Sequence, residues 1–491
     1  MTASHTTSPL APLRRESPST LTPRVLQFGS GNFLRGFADW MIDLLNERSD
    51  LDAGVVIVRP TGRSERPLMD AQDGLFTTLV RGLGADGQPV REFRRVSCVL
   101  TELDLHRQFD AYLDTARVPT IRFVVSNTTE AGIAVNDSDR ADDRPPSSFP
   151  AKLTRWLHER FIAFDGAAAS GVVVLPCELI DDNGPALLAA VRHFAALWQL
   201  APAFDDWLLT HCAFHSTLVD RIVPGYPAEE MDAIECEIGA RDQFLVTAEP
   251  YSFWAIQAPA SLGEELKLAG ADLNLRLVDD IKPFKQRKVG ILNGGHTTLV
   301  PVALLAGIES VGEALRDEAV RGFLVAALHE EIIPALPLPR EELEPFAAEV
   351  MRRFGNPFIH HRLASIALNS WSKFAARVMP QLLRYRALRG EWPQRLVLAL
   401  AATMHLYRGA HMTLSDDPAT LDWFRQAWPR RDSGTWTWND FAAAWLAHRP
   451  VWGEDLHAAH GGDDKDGLTA TLAAALAAID EHGIRAVISK I

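Results

Sequence analysis

Cysteine is scarce in this chain: four in 491 residues (Cys98, Cys177, Cys212 and Cys236), with no C-x-x-C pair among them. That pattern excludes a zinc ribbon and a disulfide scaffold, and it fits a reducing cytoplasmic compartment. Long apolar runs are missing as well. No stretch reaches the roughly 18 uninterrupted apolar residues that a membrane-spanning helix needs. Positive charge is in deficit, with 49 Lys plus Arg against 63 Asp plus Glu and a net charge of −14. Such a balance disfavours nonspecific binding to nucleic acid or to a membrane surface. An anionic ligand would then need a local basic pocket set against the overall field. Metal-ligand spacing is also lacking. "HEEII" at His329 has no second histidine to complete H-E-x-x-H, and His405 and His411 are six apart, off helical register for a shared ligand. No metal is expected.

What the chain does have is a 47% hydrophobic composition, enough for a large core. Its length is too great for one typical core, so two or three domains are expected. Residues 1–22, "MTASHTTSPLAPLRRESPSTLT", are rich in Ser, Thr and Pro and hold no continuous apolar run. They are expected to form a flexible extension, not a secretory signal.

Chemistry first shows in "VLQFGSGNFLRGFADWMIDLL", Val25 to Leu45. Val25, Leu26 and Phe28 read as a buried strand, and Phe33 to Leu45 as a helix with an apolar face. Between them stand glycines at 29, 31 and 36. A strand, a glycine turn and a helix N-terminus form an anion site, because unpaired N–H groups and the helix dipole point at the bend. Gly29 would permit the sharp turn, and Gly31 a close approach of pyrophosphate to the backbone. The spacing is G-x-G-x-x-x-x-G where the usual dinucleotide fingerprint is G-x-G-x-x-G. Taken alone, an ordinary strand-to-helix turn remains the alternative.

Strand and helix signals alternate through the first half. "GVVIV", "TIRFVVSN" and "GVVVLPCE" are β-branched runs typical of buried parallel strands, with helical stretches such as "PAKLTRWLHERFIAF" between or after them. This predicts an α/β, doubly wound Rossmann-like domain over residues 23–270, interrupted by an irregular insertion at Ser138 to Pro150. Beyond Gly270, Ala- and Leu-rich helical patterns predict a mostly α-helical domain over residues 271–491, with a ligand cleft expected between the two. At that junction Lys288, Asn293 and His296 give K-x-x-x-x-N-x-x-H. On a helix, Asn293 and His296 share a face and the long arm of Lys288 reaches over the turn below. Reducing a carbonyl without a metal requires a proton donor and hydrogen-bond donors to the forming alkoxide. A lysine serves if desolvation and cationic neighbours lower its pKa, and Lys285 and Arg287 are adjacent in sequence. The alternative is a solvated basic turn before a capped helix.

Seven segments in order, "FGSGNFLRG", "AQDGLFTTLV", "SNTTEAG", "PCELIDDNG", "STLVDRIVPGYP", "EPYSFWAIQ" and the Lys288/Asn293/His296 set, resemble the polyol-specific long-chain dehydrogenase/reductase family. The resemblance runs from Val25 to about Pro380 and is greatest to the branch acting on hexuronates such as tagaturonate. It implies metal-independent hydride transfer between NAD and a small-molecule hexuronate. A fructuronate or a mannitol-type polyol is the alternative substrate, and a nucleotide sensor without chemistry is the alternative class. By resemblance, Lys288 is the general acid/base, Asn293 hydrogen-bonds the reacting oxygen and His296 orients substrate. The NAD site would comprise Val25, Leu26, Gln27, Phe28, Gly29, Ser30, Gly31, Asn32, Phe33, Leu34, Arg35 and Gly36, with Arg59 and Asn127.

Two departures from the polyol members point to a different head group. Ser365 stands eight residues before Lys373, where those enzymes place an arginine, and "PCEL" replaces their C-D-N, so the second Asn is missing; spacing does not make Asn183 its substitute. Lys373 and Arg377, four apart on one helical face, with His360 and His361 upstream, are the candidates to receive a carboxylate. On cofactor choice the residues and the resemblance pull apart. After the second strand comes "RPTG", with no carboxylate until Glu65, so charge alone favours NADP through Arg59. The resemblance favours NAD, and Pro60 biases Arg59 toward an extended conformation that aims its guanidinium elsewhere.

Overall fold

The computed structural model describes residues 10–62, 66–128, 132–359, 361–462 and 464–491. The chain divides into two units, one comprising Met1–Arg81 and Pro89–Ile281, the other Gly82–Gln88 and Lys282–Ile491.

Twelve strands occur among the described residues: β1 (Pro23–Phe28), β2 (Gly54–Arg59), β3 (Phe76–Leu83), β4 (Pro89–Val96), β5 (Val99–Asp104), β6 (Phe123–Ser126), β7 (Val173–Pro176), β8 (Ala213–Phe214), β9 (Thr217–Asp220), β10 (Val246–Ala248), β11 (Phe253–Gln257) and β12 (Leu275–Val278). Six form one sheet in the order β5-β2-β1-β6-β7-β8. All its pairings are parallel, with Leu26 opposite Val56 on one side and Val124 on the other. Side chains alternate between faces as the pleat requires. Val25, Val55, Ile57, Phe123, Val125, Val173 and Leu175 enter one core, and Leu26, Phe28, Val56, Val58, Val124 and Val174 enter the other. Burial on both faces explains why these strands read as unbroken β-branched runs. The sheet is the doubly wound one predicted.

From β1 the chain builds outward through β2 to β5, then returns to place β6 on the other flank of β1. The order therefore reverses between β1 and β6, and ligands of open α/β sheets bind beyond the carboxyl ends of the strands at such a point. Two small sheets accompany it, β10-β3-β4 and β12-β11-β9. In the second, β12 pairs with β11, so the compact unit runs past Gly270 to Ile281. A four-residue strand, "LRLV", is too short to stand out beside helical sequence.

Of the expected extension, residues 1–9 lie outside the described residues, and the rest is held to the unit. Among residues 10–22, Leu13 is buried and its N–H donates to the Arg241 carbonyl at 3.1 Å. Arg15 donates to the carbonyls of Asp73, Ser97 and Val99 at 2.7, 2.7 and 2.8 Å. Polar composition concealed a segment held by backbone acceptors. The insertion expected at Ser138 to Pro150 is irregular only to Ser148, since a helix begins at Phe149, and within it Asp139 is buried and accepts from the N–H groups of Ser147 and Ser148 at 2.6 and 2.9 Å.

The second unit is helical after Lys282. Its central helix, Gly294–Leu305, is buried at every position but the last, as a helix apolar all round must be. It packs against Gln394–Leu406, which in turn packs against Leu468–Ile488. No helix among the described residues is long and apolar enough to cross a membrane.

Candidate active site

The glycine turn leaves β1 at the reversal point. Gly29 has φ of +111°, a conformation strained for any side chain, and a Cβ there would lie 3.0 Å from the Asn127 carbonyl oxygen. Its N–H donates to Val58 O at 2.9 Å, tying the turn to β2. Asn127, directly after β6, donates its backbone N–H to Phe28 O at 3.2 Å and its Nδ2 to Cys177 O at 2.7 Å. The structure thus brings Gly29 and Asn127 together. Gly31 is exposed, with open space where a Cβ would stand, and the helix beginning at Asn32 has no side-chain cap. An uncapped helix start beside open glycine backbone fits a diphosphate. Gly36 serves packing instead: a Cβ would lie 2.9 Å from Val223 Cγ1. Helical structure continues to Ser49 through a π segment at Arg35–Asp39.

Not every predicted cofactor residue faces this opening. Val25, Leu26, Phe28 and Leu34 are core side chains, and Gln27 is buried, donating to Gly29 O at 3.1 Å and Asp39 Oδ2 at 3.2 Å. They shape the turn from below. Ser30, Asn32 and Phe33 are at least partly exposed around it. Arg35 is buried, donating to Ser30 O at 3.2 Å and Asn32 Oδ1 at 2.7 Å. Arg59 is the correction. Its side chain is 5% exposed, bonded through Nε to Glu102 Oε1 at 3.1 Å and through its other nitrogens to the carbonyls of Arg66 and Pro67. A guanidinium so committed is not presented to a ribose 2′-phosphate. Glu65 lies outside the described residues.

Sequence reasoning left "STLVDRIVPGYP" without a role. Arg221 is buried, lies 4.0 Å from the Trp40 ring centroid and donates to Gly36 O at 2.8 Å and Glu249 O at 2.9 Å. Burial pushes its pKa down to about 9. Gly225, at φ +100°, passes so close to the Asn32 side chain that a Cβ would stand 2.5 Å from Nδ2. This segment braces the outside of the glycine turn. Asn183 is likewise structural, its Nδ2 donating to the carbonyls of Pro176, Glu178 and Thr217. Glu178 is buried and accepts from Ser126 Oγ, Thr128 N and Thr128 Oγ1, each at 3.0 Å.

In the second unit, Lys282–Arg287 is α-helical, Lys288–Asn293 is a π-helical segment, and Gly294–Leu305 is α-helical again. In an α-helix, residues five apart lie about 140° out of line. The wider π turn brings Lys288 and Asn293 closer to register, and such segments recur at functional sites. Gly290 makes room for the segment, since a Cβ would lie 2.9 Å from Leu336 Cδ2. Lys288 and Asn293 are half-buried, and His296 is buried one α-turn on.

The imidazole of His296 stacks on Phe354, with centroids 3.9 Å apart and planes 18° from parallel. His361 meets it edge-on at 5.8 Å. Burial holds its pKa well below the ordinary value, and the charges of His361, Arg353, Arg377 and Lys373 push the same way. His296 is therefore a neutral hydrogen-bonding group. Burial, with Arg353, also lowers His361.

Lys373 and Arg377 share the helix Ser370–Arg377. Lys373 Nζ donates to Ile366 O at 2.9 Å, and its pKa is lowered by burial and then by Arg377. A Cβ on Gly294 would lie 3.3 Å from Arg377 O, so the two helices touch beside Asn293. The unit thus gathers Lys373, Arg377, His361 and the buried Arg353 around His296. Sequence reasoning missed Arg353 and Phe354. His360 lies outside the described residues. Arg287 is buried over the Phe346 ring at 4.3 Å, with Glu342 at 3.7 Å, and serves packing. His329 pairs with Glu344 at 2.5 Å, and His405 Nε2 bonds Leu476 O at 3.0 Å. No cluster of metal-ligating side chains occurs among the described residues.

Comparison with known proteins follows the two-part architecture. The mannitol dehydrogenase Rossmann domain matches residues 23–270, and the mannitol dehydrogenase C-terminal domain matches residues 280–479. The altronate oxidoreductase of Pectobacterium atrosepticum is 50% identical over 485 residues, covering 97% of this chain and 98% of the relative. Among solved structures, mannitol 2-dehydrogenase of Pseudomonas fluorescens, in ternary complex with NAD and D-mannitol, is 22% identical. It has a TM-score of 0.68 over 98% of this chain and 97% of its own. D-Sorbitol dehydrogenase in substrate-free form, also 22% identical, reaches 0.75 over 95% of each chain. These two share the fold. The chain belongs to the mannitol dehydrogenase family and is an oxidoreductase acting on CH–OH groups.

Proposed function

We propose that this oxidoreductase interconverts D-tagaturonate and D-altronate with NAD as cofactor, without a metal, in the cytoplasm. The observation that carries the reading is the gathering of cations around His296, beside a π segment holding Lys288 and Asn293. A neutral ketose gives no reason to collect Lys373, Arg377, Arg353 and His361 in one place. A hexuronate carboxylate does. The identity to altronate oxidoreductases supports the same substrate.

The glycine turn fits the diphosphate of a dinucleotide, with Gly31 open and the Asn32 helix start uncapped. When bound, the nicotinamide supplies hydride to the keto carbon or takes it from the alcohol. The rest falls to this chain. Lys288 donates a proton from Nζ to the keto oxygen as negative charge develops there, and takes it back in altronate oxidation. Asn293 donates an amide hydrogen bond to the same oxygen. Neutral His296, fixed by Phe354, orients substrate hydroxyl groups. Lys373 and Arg377 receive the carboxylate, where a charge-assisted pair contributes about 1.5–3 kcal/mol.

Replacing Lys288 by Ala tests the role. Loss of general acid–base help costs about 10²–10⁴ in rate. The variant is expected to lose kcat to that extent while NADH binding stays within about twofold. Wild-type turnover across the pH range would remove Lys288 from the chemistry.

A further inference from the structure

Arg66 stands where the loop after β2 comes back to the glycine turn, and no motif marked it. Its Nη2 donates to Ser30 Oγ at 2.9 Å and to Glu102 Oε1 at 2.8 Å. From the helix side, Arg35 Nη1 reaches the carbonyl oxygen of the same serine at 3.2 Å. Both guanidiniums lie over one ring, Phe244, at 4.7 Å for Arg66 and 6.0 Å for Arg35. Behind them Arg59 shares Glu102. Three guanidiniums thus surround Ser30 and Glu102, and Glu102 is the carboxylate bonded to two of them.

Like charges set this close repel. Arg35 shows it: its pKa is pushed down to about 10, first by burial and then by Arg66. Asp39, Glu102 and Asp242 act against this, but Asp39 is fully buried and burial pushes its pKa up to about 7, so it offsets the arginines only in part. Arg35 Nε is buried with no hydrogen-bond partner among the described residues. In a chain of net charge −14, a cationic cluster at the mouth of an open glycine turn is the local basic pocket that an anion requires. Exposure decides which arginine can reach it. The Arg66 side chain is 26% exposed and Arg59 only 5%.

We propose that Arg66 binds a phosphate group of the dinucleotide directly, exchanging its bond to Ser30 Oγ for one to phosphate oxygen, with Arg35 holding Ser30 in place. The proposal rests on the reading of the turn as a dinucleotide site. Ser30 belongs to the turn itself, which favours the pyrophosphate. A 2′-phosphate on the adenine ribose is the other source of the same chemistry.

The test is fluorescence titration of wild type, Arg66→Gln and Arg66→Lys with NADH, NADPH, ADP-ribose and adenosine 2′,5′-bisphosphate, without sugar. Losing one charge-assisted phosphate bond is expected to weaken NADH and ADP-ribose about ten- to a hundredfold in Arg66→Gln. Arg66→Lys recovers part of that, and the melting temperatures of the free variants give the folding control. Loss confined to NADPH and the bisphosphate assigns the 2′-phosphate and overturns the pyrophosphate. Unchanged affinity for all four overturns the proposal, while a wild type that binds no dinucleotide overturns the reading of the turn beneath it.

Discussion

His296 lies flat on Phe354, ring centroid to ring centroid at 3.9 Å, inside a helix buried along almost its whole length. Burial, with Arg353, Arg377 and Lys373 around it, keeps the imidazole neutral, so the wild-type pH profile of kcat/KM should show no step from it near its ordinary pKa. Phe354→Ala removes the stack and admits water, at a cost of about 3–5 kcal/mol in stability. The pKa of His296 should then rise toward its ordinary value, and kcat/KM should fall on the acid side, between about pH 7 and 5.5. Identical profiles for the two proteins would show that the stack does not set its charge.

Asp39 gives a stability signature. Its carboxyl is fully buried, and burial pushes its pKa from an ordinary 3.8 up to about 7. Between those values the folded state keeps a proton that the unfolded chain has lost. This contribution to stability is greatest below the unfolded value and disappears as pH rises toward the folded one. The shift corresponds to a loss on the order of 4 kcal/mol. Asp39→Asn should flatten this slope, so that denaturant midpoints of the variant gain on wild type from pH 5 to 8. Parallel curves would contradict the burial argument.

Arg59 offers the sharpest separation between charge read from sequence and charge placed in space. Breaking its buried pair with Glu102 should destabilise the protein by roughly 3–5 kcal/mol. The NADPH-to-NADH ratio of kcat/KM in Arg59→Ala should stay that of wild type. A selective loss of NADPH turnover would mean that Arg59 leaves Glu102 to meet a phosphate.

These cases show what was legible and why. The β-branched runs announced the parallel sheet because strands buried on both faces admit little else. The turn at Gly29 was legible because a sharp left-handed turn after a strand needs glycine, whereas the approach of Asn127 to it comes from the pairing of β1 with β6. Arg59 misled because Glu102 is 43 positions away and reaches it only through the pairing of β2 with β5. Arg66, Arg353 and Phe354 were invisible for the same reason: their significance comes from tertiary neighbours. The Lys288–Asn293 spacing was noticed, but an α-helical assumption left the lysine to reach by length alone. The π segment supplies part of that alignment in the backbone. Leu13 and Arg15 were lost in a polar, proline-rich composition that describes solubility better than contacts.

The central claim, that the basic cluster around His296 receives a hexuronate carboxylate during NAD-linked reduction, has a direct test in one absorbance assay. NADH oxidation is followed with purified protein and either D-tagaturonate or D-fructose, the same ketone chemistry with and without the acid group. A charge-assisted pair predicts kcat/KM for tagaturonate above that for fructose by about one to two decades, with the advantage lost in a Lys373→Ala, Arg377→Ala double variant. Equal kcat/KM for the acid and the neutral ketose would contradict the account and return the protein to a polyol dehydrogenase.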